Sequence, residues 1–251
     1  MIKVRIVIPA YNEAGRLPST IKAMKKYLDS QEYIDADILM VNDGSTDKTR
    51  KVMEYLSMQY EKVHYISYDK NKGKGHAVKI GMLVSNGEYE WYIFSDADGS
   101  SDLRYIVPNL VDSVEPIVIT NRELEDSKIS DTSLLRFLSS RMYFFIKLIL
   151  LGNKISDTQN GLKAYHRSVC HFLFKRQLIN GFSFDVEILY IAQLNDIMVN
   201  EVPVVWLNTA DSRVRLFRDS WRMFKELLLI RKNKVRYLTE DTEIDDESIL
   251  Q

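Results

Sequence analysis

The chain has 251 residues, 45% of them hydrophobic and 27% charged, with a formal net charge of −1. That is enough for one large domain or one domain plus an appendage, and the charge balance excludes a global attraction to nucleic acid. The lone Cys170 excludes an internal disulfide, residues 1–9 read as a strand rather than an export signal, and the most apolar stretch, 142–151, is about half of the roughly 20 residues a membrane span needs and contains Lys147.

Residues 4–9 are a run of branched side chains stopped by Pro9, which predicts a strand. Tyr11-Asn12-Glu13 follows as a loop, and a helical pattern runs from 17 to 28. The plan repeats with a strand at 37–43, the turn Gly44-Ser45-Thr46-Asp47, in which Ser45 or Thr46 can cap, and a helix to about 60. A third strand covers 64–68, and Asn71-Lys72-Gly73-Lys74-Gly75 opens a helix to about 84. Strands at 91–96 and 116–120 complete the series. Strands alternating with helices of a dozen residues predict an α/β fold with a mostly parallel central sheet and helices on both faces. Ligands of such sheets bind outside the carboxyl ends of the strands. The loops at 11–13, 43–45, 72–75 and 96–98 all fall there, so four polar loops are expected to converge on one rim.

Past Arg122 the alternation stops. The chain reads as a strongly apolar helix at 134–151 carrying Arg141 and Lys147, a turn-rich polar loop at 155–161, a helix at 184–195, a strand at 199–206 and a last helix at 216–232. In that last helix Phe217, Trp221, Phe224 and Leu228 form an apolar stripe, with Arg218, Arg222 and Lys225 off it. From 213 to 236 there are nine Lys/Arg against two acids, whereas 239–251 holds six acids and no base, which predicts a disordered acidic tail.

The stretch Trp91–Gly99 ends a buried strand in two carboxylates. Side chains two apart on an extended chain share a face, so Asp96 and Asp98 point the same way. Two unit charges about 4 Å apart repel by roughly 4 kcal/mol at an effective dielectric near 20, so the pair calls for a cation, a shared proton or open water. A metal site is the working reading, and two solvated acids in a turn are the alternative. Other motifs point elsewhere and fail. The glycines at 73 and 75 follow the third strand, not the first, and lack the last glycine of a dinucleotide fingerprint, and no phosphate-binding P-loop pattern exists. His166, Cys170 and His171 match no zinc spacing, and no nucleophile elbow of a serine hydrolase is present.

Four motifs in order carry a resemblance: Ile8-Pro9-Ala10-Tyr11-Asn12-Glu13, Val41-Asn42-Asp43-Gly44-Ser45-Thr46-Asp47, Asn71-Lys72-Gly73-Lys74-Gly75-His76-Ala77 and Asp96-Ala97-Asp98-Gly99. At these spacings the chain resembles the second family of glycosyltransferases, with the GT-A nucleotide-diphospho-sugar transferase fold. Further on, Thr120-Asn121-Arg122, the run 157–163, the run 184–189 and Glu201-Val202-Pro203-Val204 are similar to the polyprenyl-phosphate sugar synthases, most closely the dolichyl-phosphate β-glucosyltransferases. The resemblance covers about residues 3–232. It implies one GT-A catalytic domain over 1–210, with a nucleotide-binding half at 1–122 and an acceptor half at 123–210. A basic amphipathic membrane-interface segment at 211–238 and the acidic tail follow.

On these residues the resemblance implies a donor site made of Pro9, Tyr11, Glu13, Asp43, Lys72, Gly73, Lys74, Gly75, Asp96 and Ala97, with Asp43 against the base and the glycine loop closing over it. Asp96 and Asp98 would carry Mg²⁺ or Mn²⁺ on the donor diphosphate, Asp98 as principal ligand, which agrees with the preference of hard cations for carboxylate and phosphate oxygens. Catalytic positions would be Asp98, Asp157, Arg122 and Arg213, the role of Arg213 being less defined because relatives carry Ser-Lys where this chain has Ser212-Arg213.

Acid–base chemistry leaves two classes of acceptor open, and the resemblance chooses between them. An alcohol needs a general base, whereas a phosphate monoester is largely dianionic at pH 7 and needs positive charge. Arg122, Arg141, Gln159, Arg213 and Arg215 are the candidates for binding an acceptor phosphate. Asp157 suits either a base for an alcohol or a binding group beside a phosphate, and the resemblance favours the second. The expectation is an inverting, metal-dependent transfer of a hexose from a nucleotide sugar, UDP-glucose first, to a polyprenyl (dolichyl) phosphate. The enzyme is expected to be peripheral on the cytoplasmic face of a membrane, held by the helices at 134–151 and 216–232. Transfer to a saccharide or protein hydroxyl with Asp157 as base, use of GDP-mannose or UDP-N-acetylglucosamine, and a non-catalytic membrane scaffold are the alternatives.

Overall fold

The computed structural model describes residues 1–84, 88–100, 102–129, 134–206 and 216–239, leaving out the side chains at 128, 129, 134–140, 206 and 216–220. Its centre is a seven-stranded sheet in the order β3-β2-β1-β4-β7-β5-β8. The strands are β1 (Ile2–Ala10), β2 (Ile34–Asp43), β3 (Val63–Tyr68), β4 (Trp91–Ser95), β5 (Ile117–Asn121), β7 (Leu162–His166) and β8 (Val199–Pro203). The short strands β6 (Lys128–Ile129) and β9 (Val205–Trp206) pair separately. Val4 to Ala10 are buried without a break, as expected of a strand covered on both faces.

Helices α1 (Leu17–Leu28), α2 (Thr49–Gln59) and α3 (Lys74–Leu83) alternate with the first four strands as the pattern predicts. In α1, Pro18 sits in the first turn, where its missing N–H costs nothing, and Leu17, Ile21, Met24 and Leu28 form the buried stripe. The start of α2 differs from expectation. Neither Ser45 nor Thr46 caps it; Asp47 accepts from the Thr49 backbone N–H at 2.9 Å, and Ser45 Oγ accepts from the Asn12 N–H in the neighbouring loop at 2.9 Å.

The second half holds α4 (Leu134–Leu151), α5 (Arg167–Arg176), α6 (Phe184–Leu194), α7 (Leu216–Lys232) and α8 (Lys234–Leu238). Strand β7 and helix α5 were not foreseen, because Leu162-Lys163-Ala164-Tyr165-His166 is short and carries a lysine at its second position. That lysine is fully buried. Strand β7 runs antiparallel to both β4 and β5, so its starting end, not its finish, lies beside the end of β4, with Ser95 opposite Leu162. The reversal brings the loop 155–161 to the rim where β1, β2, β3, β4 and β5 finish.

Helices α4 and α7 pack on each other, and the Arg231 guanidinium donates to the Leu150 carbonyl. On α7 the side that packs inward carries Leu227 and Ile230. The stripe seen in the sequence turns outward: Trp221 is 61% and Leu228 44% exposed. On α4, Met142, Phe145 and Ile149 are also exposed. No helix among the described residues is long and apolar enough to cross a membrane. Arg213, Arg215 and the tail from 240 onward lie outside the described residues, as do the side chains of Phe217 and Arg218.

Candidate active site

The rim is knitted from the loops upward. After Pro9 and Ala10, Asn12 takes a left-handed backbone, φ 58°, which asparagine tolerates better than most residues. Its side-chain oxygen accepts from the Thr46 N–H at 2.8 Å and the Asp47 N–H at 3.2 Å, while the Glu13 N–H donates to Thr49 Oγ1 at 2.8 Å. The β1–α1 and β2–α2 loops are thus one unit. The Glu13 carboxylate grips Arg16 through two hydrogen bonds, and Tyr11 stands exposed at the edge.

Asp43 is expected from the sequence to contact a base, and within the protein its carboxylate also has a structural task. It accepts from Tyr68 Oη at 2.8 Å, Asn71 Nδ2 at 2.9 Å, the Lys72 N–H at 2.7 Å and the Gly73 N–H at 3.0 Å. A buried acid in this position shapes the glycine loop. Gly73 is needed there for two reasons: its φ is 109°, and a Cβ would stand 2.3 Å from the Asn180 carbonyl oxygen. Lys72 extends over the Tyr68 ring at 5.8 Å.

Beyond Gly73 the loop meets the two carboxylates. Lys74 Nζ lies 2.7 Å from Asp96 Oδ1. Burial pushes the Lys74 ammonium down, and Asp96, Asp185 and Asp98 together raise it above its ordinary value. The Asp96 N–H donates to the Gly161 carbonyl at 3.0 Å. Gly161 also leaves the space for the Asp96 side chain, since a Cβ there would come 2.0 Å from Oδ2. Ala97 is buried, its carbonyl accepting from Thr20 Oγ1 at 2.9 Å. Asp98 Oδ1 accepts from the Ser100 N–H at 2.9 Å, in a turn where Gly99 has φ 75°.

Across Gly161 stands the second pair. Arg122 binds Asp157 in bidentate fashion, Nε to Oδ2 at 2.7 Å and Nη2 to Oδ1 at 2.9 Å, and its own N–H donates to Oδ2 at 3.0 Å. Burial pushes the Asp157 carboxyl up, and the Arg122 hydrogen bonds and charge more than offset this, holding it below the usual carboxylate range. Asp157 is therefore a poor proton acceptor and a good anchor for the guanidinium, whose charge also feels Asp96. Gln159 is partly buried in the same loop, its N–H donating to Asp157 Oδ1 at 3.3 Å. Arg141 is set apart as an exposed side chain paired with Glu123 at 3.0 Å.

Two groups carry the site and were given no role in the sequence reading. Lys163 is wholly buried, with Nζ 2.7 Å from Asp185 Oδ1 and a hydrogen bond to the Asn160 carbonyl. Burial raises the Asp185 carboxyl, against the pull of Lys163 and Lys74. The other is Lys147 of α4, which donates to the Ile155 carbonyl. Burial lowers its ammonium to about 8. A lysine within an apolar run is the only trace either leaves in the sequence. His166 packs edge-on against Trp91 at 5.2 Å, and Cys170 lies in the core.

Among the described residues no group of three or more His, Cys, Asp or Glu is arranged to hold a metal. A resident all-protein cage is thus not built there. Two carboxylates on one rim suit a hard cation that arrives with phosphate oxygens, the usual state of Mg²⁺ in phosphate-handling sites.

The family model described as "Glycosyl transferase family 2" matches residues 5–174. A dolichyl-phosphate beta-glucosyltransferase of Saccharomyces cerevisiae is 31% identical over 92% of this chain and 74% of its own length. The Homo sapiens protein of the same name is 33% identical over 94% and 76%. Among solved structures, glucosyl-3-phosphoglycerate synthase from Mycobacterium tuberculosis, crystallised with Mn²⁺, UDP-glucose and phosphoglyceric acid, superposes with a TM-score of 0.67 at 17% identity over 97% of this chain and 82% of that one. Mannosyl-3-phosphoglycerate synthase from Rubrobacter xylanophilus gives 0.65 at 17% identity over 100% and 80%. The architecture is therefore the GT-A fold, and the chain belongs to glycosyl transferase family 2, as a glycosyltransferase.

Proposed function

We propose that this glycosyltransferase moves glucose from UDP-glucose to dolichyl phosphate, with inversion at the sugar, with Mg²⁺ or Mn²⁺ in the donor site, on the cytoplasmic face of a membrane. The observation that carries the reading is the juxtaposition on one rim of the Asp96 carboxylate with the Arg122 guanidinium on one side and with Lys74, which also feels Asp98, on the other. The names of the relatives, dolichyl-phosphate beta-glucosyltransferases, support the sugar and the acceptor.

In this reading Asp98, with Asp96, holds the ion, which when bound neutralises charge building on the departing diphosphate. Lys74 keeps Asp96 in place and adds positive charge beside it. Arg122 orients the acceptor phosphate, and its two hydrogen bonds to Asp157 fix the guanidinium plane for that task. A dianionic phosphate oxygen is already a nucleophile, so no base is required. The depressed Asp157 carboxyl supports this over transfer to a hydroxyl.

The outward faces of α4 and α7 support lipid contact. Met142, Phe145, Ile149, Trp221 and Leu228 are exposed, with Arg222, Lys225, Arg231 and Lys232 also at the surface of α7. Apolar and basic residues in this mixture favour an anionic interface. Arg213 and Arg215 belong to the same proposal as further charges for the acceptor phosphate.

The test is a screen of labelled nucleotide sugars with Mn²⁺ and a short polyprenyl phosphate. Label is expected in the lipid with UDP-glucose, and Asp98→Ala is expected to lose metal-dependent transfer while retaining its unfolding temperature. Transfer only to a sugar or protein hydroxyl, or full turnover in Asp98→Ala, would overturn the assignment.

A further inference from the structure

The donor loop does not stand on its own strand alone. The Gly75 N–H donates to the Asn180 carbonyl at 2.9 Å, and Gly73 and Gly75 lack side chains where a Cβ would strike the Asn180 and Ile179 carbonyl oxygens at 2.3 and 2.6 Å. The Gln177 side chain ties the two segments again, donating from Nε2 to the Gly75 and Ile179 carbonyls at 2.8 Å each. The segment 177–183 is therefore the wall on which the glycine loop is moulded.

Two carboxylates hold that wall from behind. Glu187 accepts from the Leu178 and Ile179 N–H groups at 2.9 and 2.8 Å and from Tyr237 Oη of α8 at 2.6 Å. Glu226 of α7 accepts from the Ser183 N–H at 3.1 Å and from Arg222 Nε at 3.2 Å, and it lies so close to Gly181 that a Cβ there would meet Oε1 at 2.1 Å. Helix α7 thus has two working sides. One exposes Trp221 and Leu228, and the other presents Glu226, largely buried, to the segment that shapes the donor loop.

We propose that Glu226 is a positioning residue for the donor site: through Ser183 and Gly181 it seats residues 179–183, these seat Gly73 and Gly75, and the docking of α7 thereby sets the affinity for the nucleoside diphosphate. The inference rests on the donor reading given above. It does not require Glu226 to touch the nucleotide. A coupling between a clamp and a ligand of this kind is worth about 5- to 150-fold in affinity.

Amide exchange and UDP binding in the presence of Mn²⁺ test it in the full chain. In Glu226→Ala the Gly75 N–H is expected to exchange faster, with the Glu13 amide, which Thr49 Oγ1 holds on the far side of the rim, as the internal reference. The dissociation constant for UDP is expected to rise roughly tenfold. Glu226→Gln, whose amide oxygen still accepts from Ser183, is expected to recover most of the affinity. Gly181→Ala, which displaces the carboxylate from the opposite side, is expected to weaken binding like Glu226→Ala, and decides the matter should Glu226→Ala not fold. Unchanged UDP affinity in a folded Glu226→Ala, or equal exchange at Gly75, overturns the proposal. A wild-type protein that binds no UDP removes the donor reading instead, and exchange at Gly75 still judges the clamp.

Discussion

Replacing Gly161 by alanine isolates the placement of Asp96, one of the two carboxylates proposed to hold the ion. Gly161 is not among the glycines with positive φ, so the requirement is space. The added Cβ would stand 2.0 Å from Asp96 Oδ2, 2.4 Å from Cγ and 3.0 Å from its Cβ. Reaching even 3.0 Å takes a shift of 1.0 Å (3.0 − 2.0), and the Asp96 N–H bond to the Gly161 carbonyl keeps the backbone from supplying it. The side chain must rotate, leaving the 2.7 Å contact with Lys74. Overpacking of this kind costs about 1–3 kcal/mol, or roughly 2–4 °C of Tm per kcal/mol for a domain of this size. A misplacement of about 1 Å at a catalytic centre costs on the order of 100-fold in rate, which is about 2.7 kcal/mol. Gly161→Ala is therefore expected to stay folded at 25 °C, with kcat for glucosyl transfer lowered about 100-fold. The assay is transfer of labelled glucose from UDP-glucose to a short polyprenyl phosphate with Mn²⁺, run beside thermal unfolding. Full turnover in a folded Gly161→Ala would refute the place given to Asp96.

Asp157→Asn leaves Arg122 without its anionic partner, and breaking a buried ion pair on one side costs about 3–5 kcal/mol. The KM for the acceptor phosphate is expected to rise while the acidic limb of the pH–rate profile stays where it is; a limb that disappears with the carboxylate would restore the role of base. Lys147 predicts a stability effect. Its ordinary value of 10.5 falls to about 8 on folding, so between those values the unfolded chain binds more protons and stability rises with pH. The difference corresponds to at most about 3 kcal/mol at 1.36 kcal/mol per pH unit, present as a penalty below pH 8. Lys147→Met, which also loses the bond to the Ile155 carbonyl at about 1 kcal/mol, is expected to gain about 2 kcal/mol at pH 7 and to flatten the rise between pH 8 and 10.5. Urea unfolding at pH 7 and pH 10 reads both, and an unchanged slope would count against it. For the outer helix faces, replacing Phe145 and Trp221 by serine is expected to abolish flotation with anionic vesicles at little cost to Tm, since both side chains are exposed; undiminished flotation would move the lipid surface elsewhere.

Much of the fold was legible in the chain. Branched runs ending in Pro9, Asp43 and Asp96 announce the parallel half and its rim, because a strand covered on both faces must be apolar while the loop beyond it is free to be polar. The same reasoning stopped at Leu162-Lys163-Ala164-Tyr165-His166. Buried lysines are uncommon unless paired, and the partner, Asp185, lies 22 residues further on, so β7 left no periodic signal. The stripe on α7 was visible as a stripe, but a helix in isolation does not say which side meets the core. Leu227 and Ile230 took that place, and Trp221 was left outside.

The residue types at the rim, two carboxylates, a glycine loop and an arginine after the fifth strand, followed from local sequence alone, because each is a property of a few neighbouring residues, although β4 ends at Ser95 and Asp96 and Asp98 lie in the turn beyond it rather than on one face of the strand. Their tasks did not. Asp43 shapes the glycine loop because residues 68–73 come to rest around its carboxylate, Gly161 is required because Asp96 fills the space beside it, and Asp157 is held as an anion because Arg122 reaches it from the turn after β5. Each of these depends on distances between segments far apart in the chain, which only tertiary packing brings within hydrogen-bonding range.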